Sequence, residues 1–335
     1  GKILPTQIDQ LRNGKKELIT LVDLSPGESR RLELRKSKAR NLPDGPRITH
    51  DSASNAYDFS NGVFSCRLSF RKDGRDEWED IRHVLVRNLR YVGAEKASMG
   101  IRAISDPQLA FFKGAPTPEV RTGPLRGQLI LRGDAELRRG SKEIIPGELE
   151  FSITIYSGKK VVETETIFVP DAEGRVSLCS AGQISVPASS DARWILQSPE
   201  HRGDSTTSLE FGGPANKTIR GTKWVAARAK TESPREESDS GPHGRSFSYV
   251  HDDVGSNVSL VPGAGGVGRS KVLFRITNFG PKRNYVRPDF YRVRTEKGVP
   301  LNLRKRLTFY TETRQDSEFA SRDYRIFRTE LLAPR

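Results

Sequence analysis

Cysteine is nearly absent: the 335 residues hold two, Cys66 and Cys179, beside a single methionine, Met99. Two thiols cannot build a disulfide framework, and no cysteine-rich zinc site is possible. No stretch approaches the ~18 apolar residues that a membrane-crossing helix needs. The densest run, Phe151 to Tyr156, is interrupted by Ser152 and Thr154. Acidic residues are in deficit, 42 against 56 lysines and arginines, which leaves a net charge of +14. Hydrophobic residues make up 34%, below the roughly 45–50% of an ordinary globular chain. These balances predict a soluble protein without membrane insertion, with a sizeable core and long polar loops, in one large all-β domain or two smaller ones.

Catalytic and metal-binding patterns are also missing. The five histidines, His50, His83, His201, His243 and His251, are scattered, and none stands in a ligand spacing. Neither a metal nor another cofactor is expected. Ser240, in Asp239-Ser240-Gly241-Pro242, is similar to the nucleophile loop of serine proteases, but it lies in a polar linker without rigid support, and no Gly-x-Ser-x-Gly elbow occurs. Glu163 and Glu165, two apart on one strand face, read as solvent-exposed side chains and not as an acid/base pair. The chain is therefore read as a non-enzyme. Its first residues, Gly1 to Pro5, have neither a charged segment nor an apolar one of the secretory kind, and the initial Gly suggests a processed product.

Two motifs are suggestive. Gly263-Ala264-Gly265-Gly266-Val267-Gly268-Arg269-Ser270 resembles the phosphate-binding loop of small GTPases, with Arg269 where that motif has Lys. Such a loop works only between a buried strand and a helix, and Lys271 to Phe279 alternates like a strand, so a flexible Gly-rich turn is expected. Arg202-Gly203-Asp204, followed by Ser205, is similar to the tripeptide that integrin ligands display, which makes it a possible receptor loop. Asn216-Lys217-Thr218 and Asn257-Val258-Ser259 are glycosylation sequons, relevant only on a secretory route.

Period-2 alternation dominates what is present. Leu149, Phe151, Ile153 and Ile155 alternate with polar residues, then Ser157-Gly158-Lys159 leads into Val162, Thr164, Thr166 and Phe168, which predicts a hairpin. Similar strands are expected at 64–70, 129–131, 272–276, 306–312 and 324–327. Asn61-Gly62, Asp73-Gly74 and Gly280-Pro281 supply turn signals. Cys66 shares an apolar strand face with Phe64, Leu68 and Phe70, so a buried reduced thiol is expected in preference to a bridge with Cys179. Trp78, Ile81, Leu85, Leu89 and Val92 have helical spacing, with Asp76 as cap, and predict one helix; Thr6 to Leu21 is a weaker second, with Gly14 in its middle. The expected fold class is mainly β, an antiparallel β-sandwich or barrel, jelly-roll-like, with one or two short accessory helices. Four sections are expected: an N-terminal segment over 1–50, a β-rich body over 51–228, a flexible polar and Gly-rich loop over 229–270, and a basic β-rich section over 271–335 completing the same sandwich.

The charge is concentrated in that last section, where 16 basic residues face 7 acidic ones, so +9 of the +14 lies in 65 residues. There Arg283, Arg287, Tyr291, Arg292, Arg294, Arg304, Lys305 and Arg306 mix cations with an aromatic ring. Arginine and lysine neutralise phosphates while tyrosine offers a stacking face, so these eight are the candidate nucleic-acid-binding residues. A second basic cluster runs from Arg30 to Arg40. No sequence-reading motif is present, so contact through the backbone is expected. Together these features predict a structural β protein that binds nucleic acid non-specifically, RNA more than DNA, and self-associates. A viral coat or coat-like protein in the virion or host cytoplasm fits, with a movement protein as a variant. The alternatives are an acidic protein partner for the basic surface, or a surface or secreted binding module using Arg202, Gly203 and Asp204.

Overall fold

The computed structural model describes residues 4–11, 14–22, 29, 31–33, 44–72, 81–91, 103–106, 110–139, 143–159, 161–180, 183–185, 193–199, 206–211, 215–220, 224–230, 246–251, 272–278 and 284–310. Among these every regular element is a strand. In chain order the first are β1 (Thr6–Gln10), β2 (Lys16–Thr20), β3 (Arg47–Asp51), β4 (Ala56–Ser60), β5 (Phe64–Lys72), β6 (Ile81–Tyr91) and β7 (Ala103–Asp106). Next come β8 (Phe111–Phe112), β9 (Thr117–Thr122), β10 (Arg126–Arg139), β11 (Glu143–Tyr156), β12 (Val161–Pro170), β13 (Gly174–Ser180) and β14 (Gln183–Ser185). The remainder are β15 (Arg193–Pro199), β16 (Thr206–Phe211), β17 (Ala215–Arg220), β18 (Trp224–Lys230), β19 (Ser246–His251), β20 (Val272–Asn278), β21 (Asn284–Thr295) and β22 (Leu301–Tyr310). β1 and β2 form a hairpin of their own, and β3 to β22 belong to one antiparallel network.

The centre of that network is the expected hairpin. β10 and β11 pair over their full lengths, and β11 pairs on its other edge with β12. Register sets Leu129 opposite Ile153 and Leu131 opposite Phe151, with Leu149 opposite Phe168. All six are buried, and removing each such side chain from water is worth ~1.5–3 kcal/mol. The turn after β11 contains Gly158 at φ +64°, a left-handed conformation that glycine adopts without steric cost. Asn61, buried in the turn after β4, fixes this turn by donating from Nδ2 to the carbonyls of Tyr156 and Lys159 at 2.8 and 2.7 Å. Gly147 lets β11 and β12 close up: a Cβ there would lie 2.3 Å from the carbonyl oxygen of Val169 and 2.8 Å from the ring of Phe168.

From β12 the ladder continues through β22, β19, β18 and β15 to β16. A second ladder runs β3, β4, β5, β6, β7, β14, β21, β20 and β17. Its registers align Leu68, Val86, Ile104, Ile184, Val286 and Ile276 in one row across six strands. The two ladders join where Ile81 of β6 pairs with Phe112 of β8, and β8 in turn pairs with β10. They also pack face to face: a Cβ on Gly127 of β10 would touch Pro46 and Ile48 beside and on β3, and one on Gly174 of β13 would meet Ile145 of β11.

The expected helices are not formed. Residues 81–91 are strand β6, because Val84 and Val86 find ladder partners on both edges, Phe70 and Leu68 on β5 and Asp106 and Ile104 on β7. Pairing on both sides favours β-branched residues in an extended backbone over a helical apolar stripe. The segment from Thr6 is the β1–β2 hairpin, and Gly14, at φ +76°, lies between its strands.

Candidate nucleic-acid interface

Arg287, Tyr291, Arg292 and Arg294 lie on β21, and Arg304, Lys305 and Arg306 on β22. Arg283 falls outside the described residues, as do Arg202, Gly203, Asp204, the Gly263 to Ser270 motif and Ser240. β21 and β22 follow one another in sequence but belong to different ladders. The seven described candidates are therefore divided between two ladders.

On β22, register sets Arg306 opposite Glu163 and Arg304 opposite Glu165 of β12. Opposite charges directly across an antiparallel pair stabilise it by roughly 0.2–1 kcal/mol. Lys305 has the other parity, opposite Thr164 and in line with buried Ile153 and Leu129. Glu163 corrects the expectation of an exposed carboxylate: it is 6% exposed and accepts a hydrogen bond from the Tyr156 hydroxyl at 2.7 Å. β12 lies between β11 and β22, which closes off the solvent that the sequence pattern suggested.

On β21 the pairing is of like charges. Arg294 stands opposite the exposed Arg175 of β13, and Arg287 opposite Arg275 of β20. Arg292 shares the parity of Arg294, whereas Tyr291 shares that of Thr295, which is 3% exposed and donates from Oγ1 to the Ala172 carbonyl at 3.1 Å. Arg287 also has this second parity, so alternation splits the β21 candidates between two faces. Sequence reasoning missed Arg175 and Arg275. Their only local signal is a cation within the alternating runs Arg175-Val176-Ser177-Leu178 and Leu273-Phe274-Arg275-Ile276.

Ion pairs hold several cations elsewhere among the described residues. Arg126 is bonded to Asp9 at 2.6 Å and Glu17 at 2.7 Å, and Arg132 to Glu150 at 2.6 Å and Glu119 at 2.5 Å. Arg67 is held by Asp51 and, at 3.0 Å, by Asp58. Ser54 Oγ, donating at 2.6 Å, and the Arg67 guanidinium hold the Asp51 carboxyl at about 2, against an ordinary 3.8. A cleft of about 520 Å³ opens beside this group, between Arg47, Thr49, Asp58, Ser60 and Ser65. Beneath it Cys66 is buried with a free thiol, as expected, and burial pushes its ionisation well above the usual thiol range. The described residues contain no group of three or more His, Cys, Asp or Glu able to hold a metal, and no helix long and apolar enough to cross a membrane.

No protein-family model matches this chain, and no curated protein is similar to it. Among solved structures it is similar to the alpha-galactosidase from Lactobacillus brevis, at 10% identity and a TM-score of 0.45, over 79% of this chain and 40% of that one. It is also similar to a galactose mutarotase related enzyme from Lactobacillus acidophilus, at 10% identity and a TM-score of 0.39, over 77% of this chain and 98% of that one. A protein from Synechocystis sp. PCC 6803 matches at 10% identity and a TM-score of 0.43, over 83% of this chain and all of the other. These are likenesses of β architecture.

Proposed function

We propose that this chain is a non-enzymatic structural β protein that binds nucleic acid without reading its sequence and associates with copies of itself, as a viral coat or coat-like protein does. RNA is the preferred partner, and the virion or host cytoplasm is the place of action; a viral movement protein is a variant of this reading. The observation that carries it is the register that sets Arg275 of β20 directly opposite Arg287 of β21, in a chain with a net charge of +14. Like charges at that separation destabilise a ladder, and a bound polyanion removes the penalty. For self-association, the β1–β2 hairpin exposes the cross-strand pair Ile8 and Leu18, 64% and 48% accessible, outside the main network.

The test is the binding of a fluorescent single-stranded oligouridylate followed by anisotropy over a range of salt concentrations. The expected result is binding at low salt that weakens linearly on a double-logarithmic plot, each phosphate contact on a single strand contributing about 0.7 to the slope. Sedimentation in the same buffers is expected to show larger species when RNA is present. Absence of binding at low salt overturns the proposal, and capture of an acidic protein instead would assign the basic surface to a protein partner.

A further inference from the structure

We propose that the cleft over strands β3, β4 and β5 holds one ribose phosphate unit of an RNA strand, with the phosphate at Arg47 and the ribose hydroxyls at Asp58. This rests on the nucleic-acid reading above and names a site at which RNA is told from DNA.

Register builds the cleft from two rows of side chains. Arg47 of β3 stands opposite Ser60 of β4, and Ser60 opposite Ser65 of β5. Two residues along the strands, Thr49 stands opposite Asp58 and Asp58 opposite Arg67. These six line the accessible face, whereas Phe59 and Cys66, of the other parity, are 1% and 3% exposed and form the floor.

The rows differ in charge. In the second, Arg67 donates from one guanidinium nitrogen to both oxygens of Asp58, at 3.2 and 3.0 Å, and from the other to Asp51 and Ser54. Two carboxylates share one cation, so this end is net negative. Each Asp58 oxygen keeps a further lone pair, and the side chain is 47% exposed, so it can accept from a hydroxyl. In the first row Arg47 is 72% exposed and pairs with Asp44 at 3.5 Å, itself 93% exposed. A pair so exposed contributes little and gives way to a ligand. Ser60 and Ser65 add hydroxyls beside this cation.

A cation with hydroxyls at one end and a carboxylate at the other, about 7 Å apart along the strands, matches the phosphate and the ribose hydroxyls of one nucleotide. A bare anion would meet Asp58, and a neutral sugar has no use for Arg47. The volume of about 520 Å³ is that of a site for a single small ligand. Arginine and hydroxyl side chains are common phosphate ligands, and the 2′-hydroxyl is the group that separates RNA from DNA. The aromatic residue of the lining, Phe59, is buried, so the cleft offers no ring to a base and reads no sequence.

Fluorescent oligouridylate and oligodeoxyuridylate of equal length, followed by anisotropy against salt, separate the possibilities. Wild type is expected to bind the ribo strand about tenfold more tightly, the worth of one hydrogen bond to a charged group. Asp58→Asn, whose remaining acceptor stays with Arg67, is expected to bring the two affinities together. Arg47→Ala lowers the salt slope by about 0.7 on both strands and keeps the preference. Lys297→Ala, which removes an exposed cation in the turn between β21 and β22, leaves slope and preference unchanged. Equal affinity of wild type for the two strands, a preference that survives in Asp58→Asn, or a slope unaltered by Arg47→Ala overturns this site and leaves the nucleic-acid reading intact. Should Asp58→Asn fail to fold, amide chemical shifts of wild type titrated with oligouridylate decide: changes at 47–49, 58–60 and 65–67 support the site, and changes confined to other residues overturn it. A wild type that binds neither strand at low salt overturns both site and reading, even if uridine monophosphate moves those amides, since the cleft would then serve a free nucleotide.

Discussion

Asp51 shows how one side chain ties the fold to pH. Its carboxylate accepts hydrogen bonds from Ser54 Oγ and from the backbone N–H of Ala53 at 3.1 Å, and it pairs with Arg67. Because these partners favour the charged form, its folded pKa of about 2 lies below the ordinary 3.8. The stability it contributes is therefore present above the unfolded value and is lost as pH falls from about 4 towards 2. Denaturant unfolding at a series of acid pH values is expected to show this loss in wild type and a shallower one in Asp51→Asn. Equal slopes in the two proteins would mean that other carboxylates carry the acid response.

At the scale of elements, the β1–β2 hairpin is attached to the rest of the molecule chiefly through Gln7 and Arg126. Gln7 Oε1 accepts from the N–H groups of Leu125 and Arg126 at 2.9 and 2.8 Å, and its Nε2 donates to the Arg126 carbonyl at 3.1 Å. Gly123 makes room, since a Cβ there would come within 2.3 Å of Gln7 Cδ. Gln7→Ala leaves buried N–H groups unpaired, at a cost of about 2 kcal/mol, and is expected to raise hydrogen exchange across residues 6–20 while β10–β12 stay protected. Uniform exchange along the chain would show that hairpin and core open together. Strand β11 was readable in the sequence because Leu149, Phe151, Ile153 and Ile155 alternate cleanly, whereas β6 was not, because Ile81, Leu85 and Leu89 also satisfy a helical period. What decides β6 is the presence of β5 and β7 on its two edges, which no local window contains.

For the whole molecule, a net charge of +14 makes the compact state repel itself. Screening weakens such repulsion, with a Debye length of about 10 Å at 0.1 M salt. The melting temperature is therefore expected to rise from low to moderate sodium chloride, and to rise further with inorganic polyphosphate at constant ionic strength. A melting temperature that falls with added salt would mean that the ion pairs around Arg126 and Arg132 outweigh the repulsion.

The sequence by itself determined the β class, the central hairpin, the buried thiol of Cys66 and the basic excess, because these follow from alternation, composition and short-range turns. Only the tertiary structure decided which charges meet. Arg304 and Arg306 oppose Glu165 and Glu163, some 140 residues earlier in the chain, whereas Arg294 opposes Arg175, some 120 residues earlier. A contiguous run such as Arg304-Lys305-Arg306 reads as one cluster in sequence. In a strand it is divided between two faces, and the partner strand supplies a carboxylate or a second arginine according to a register set by distant packing.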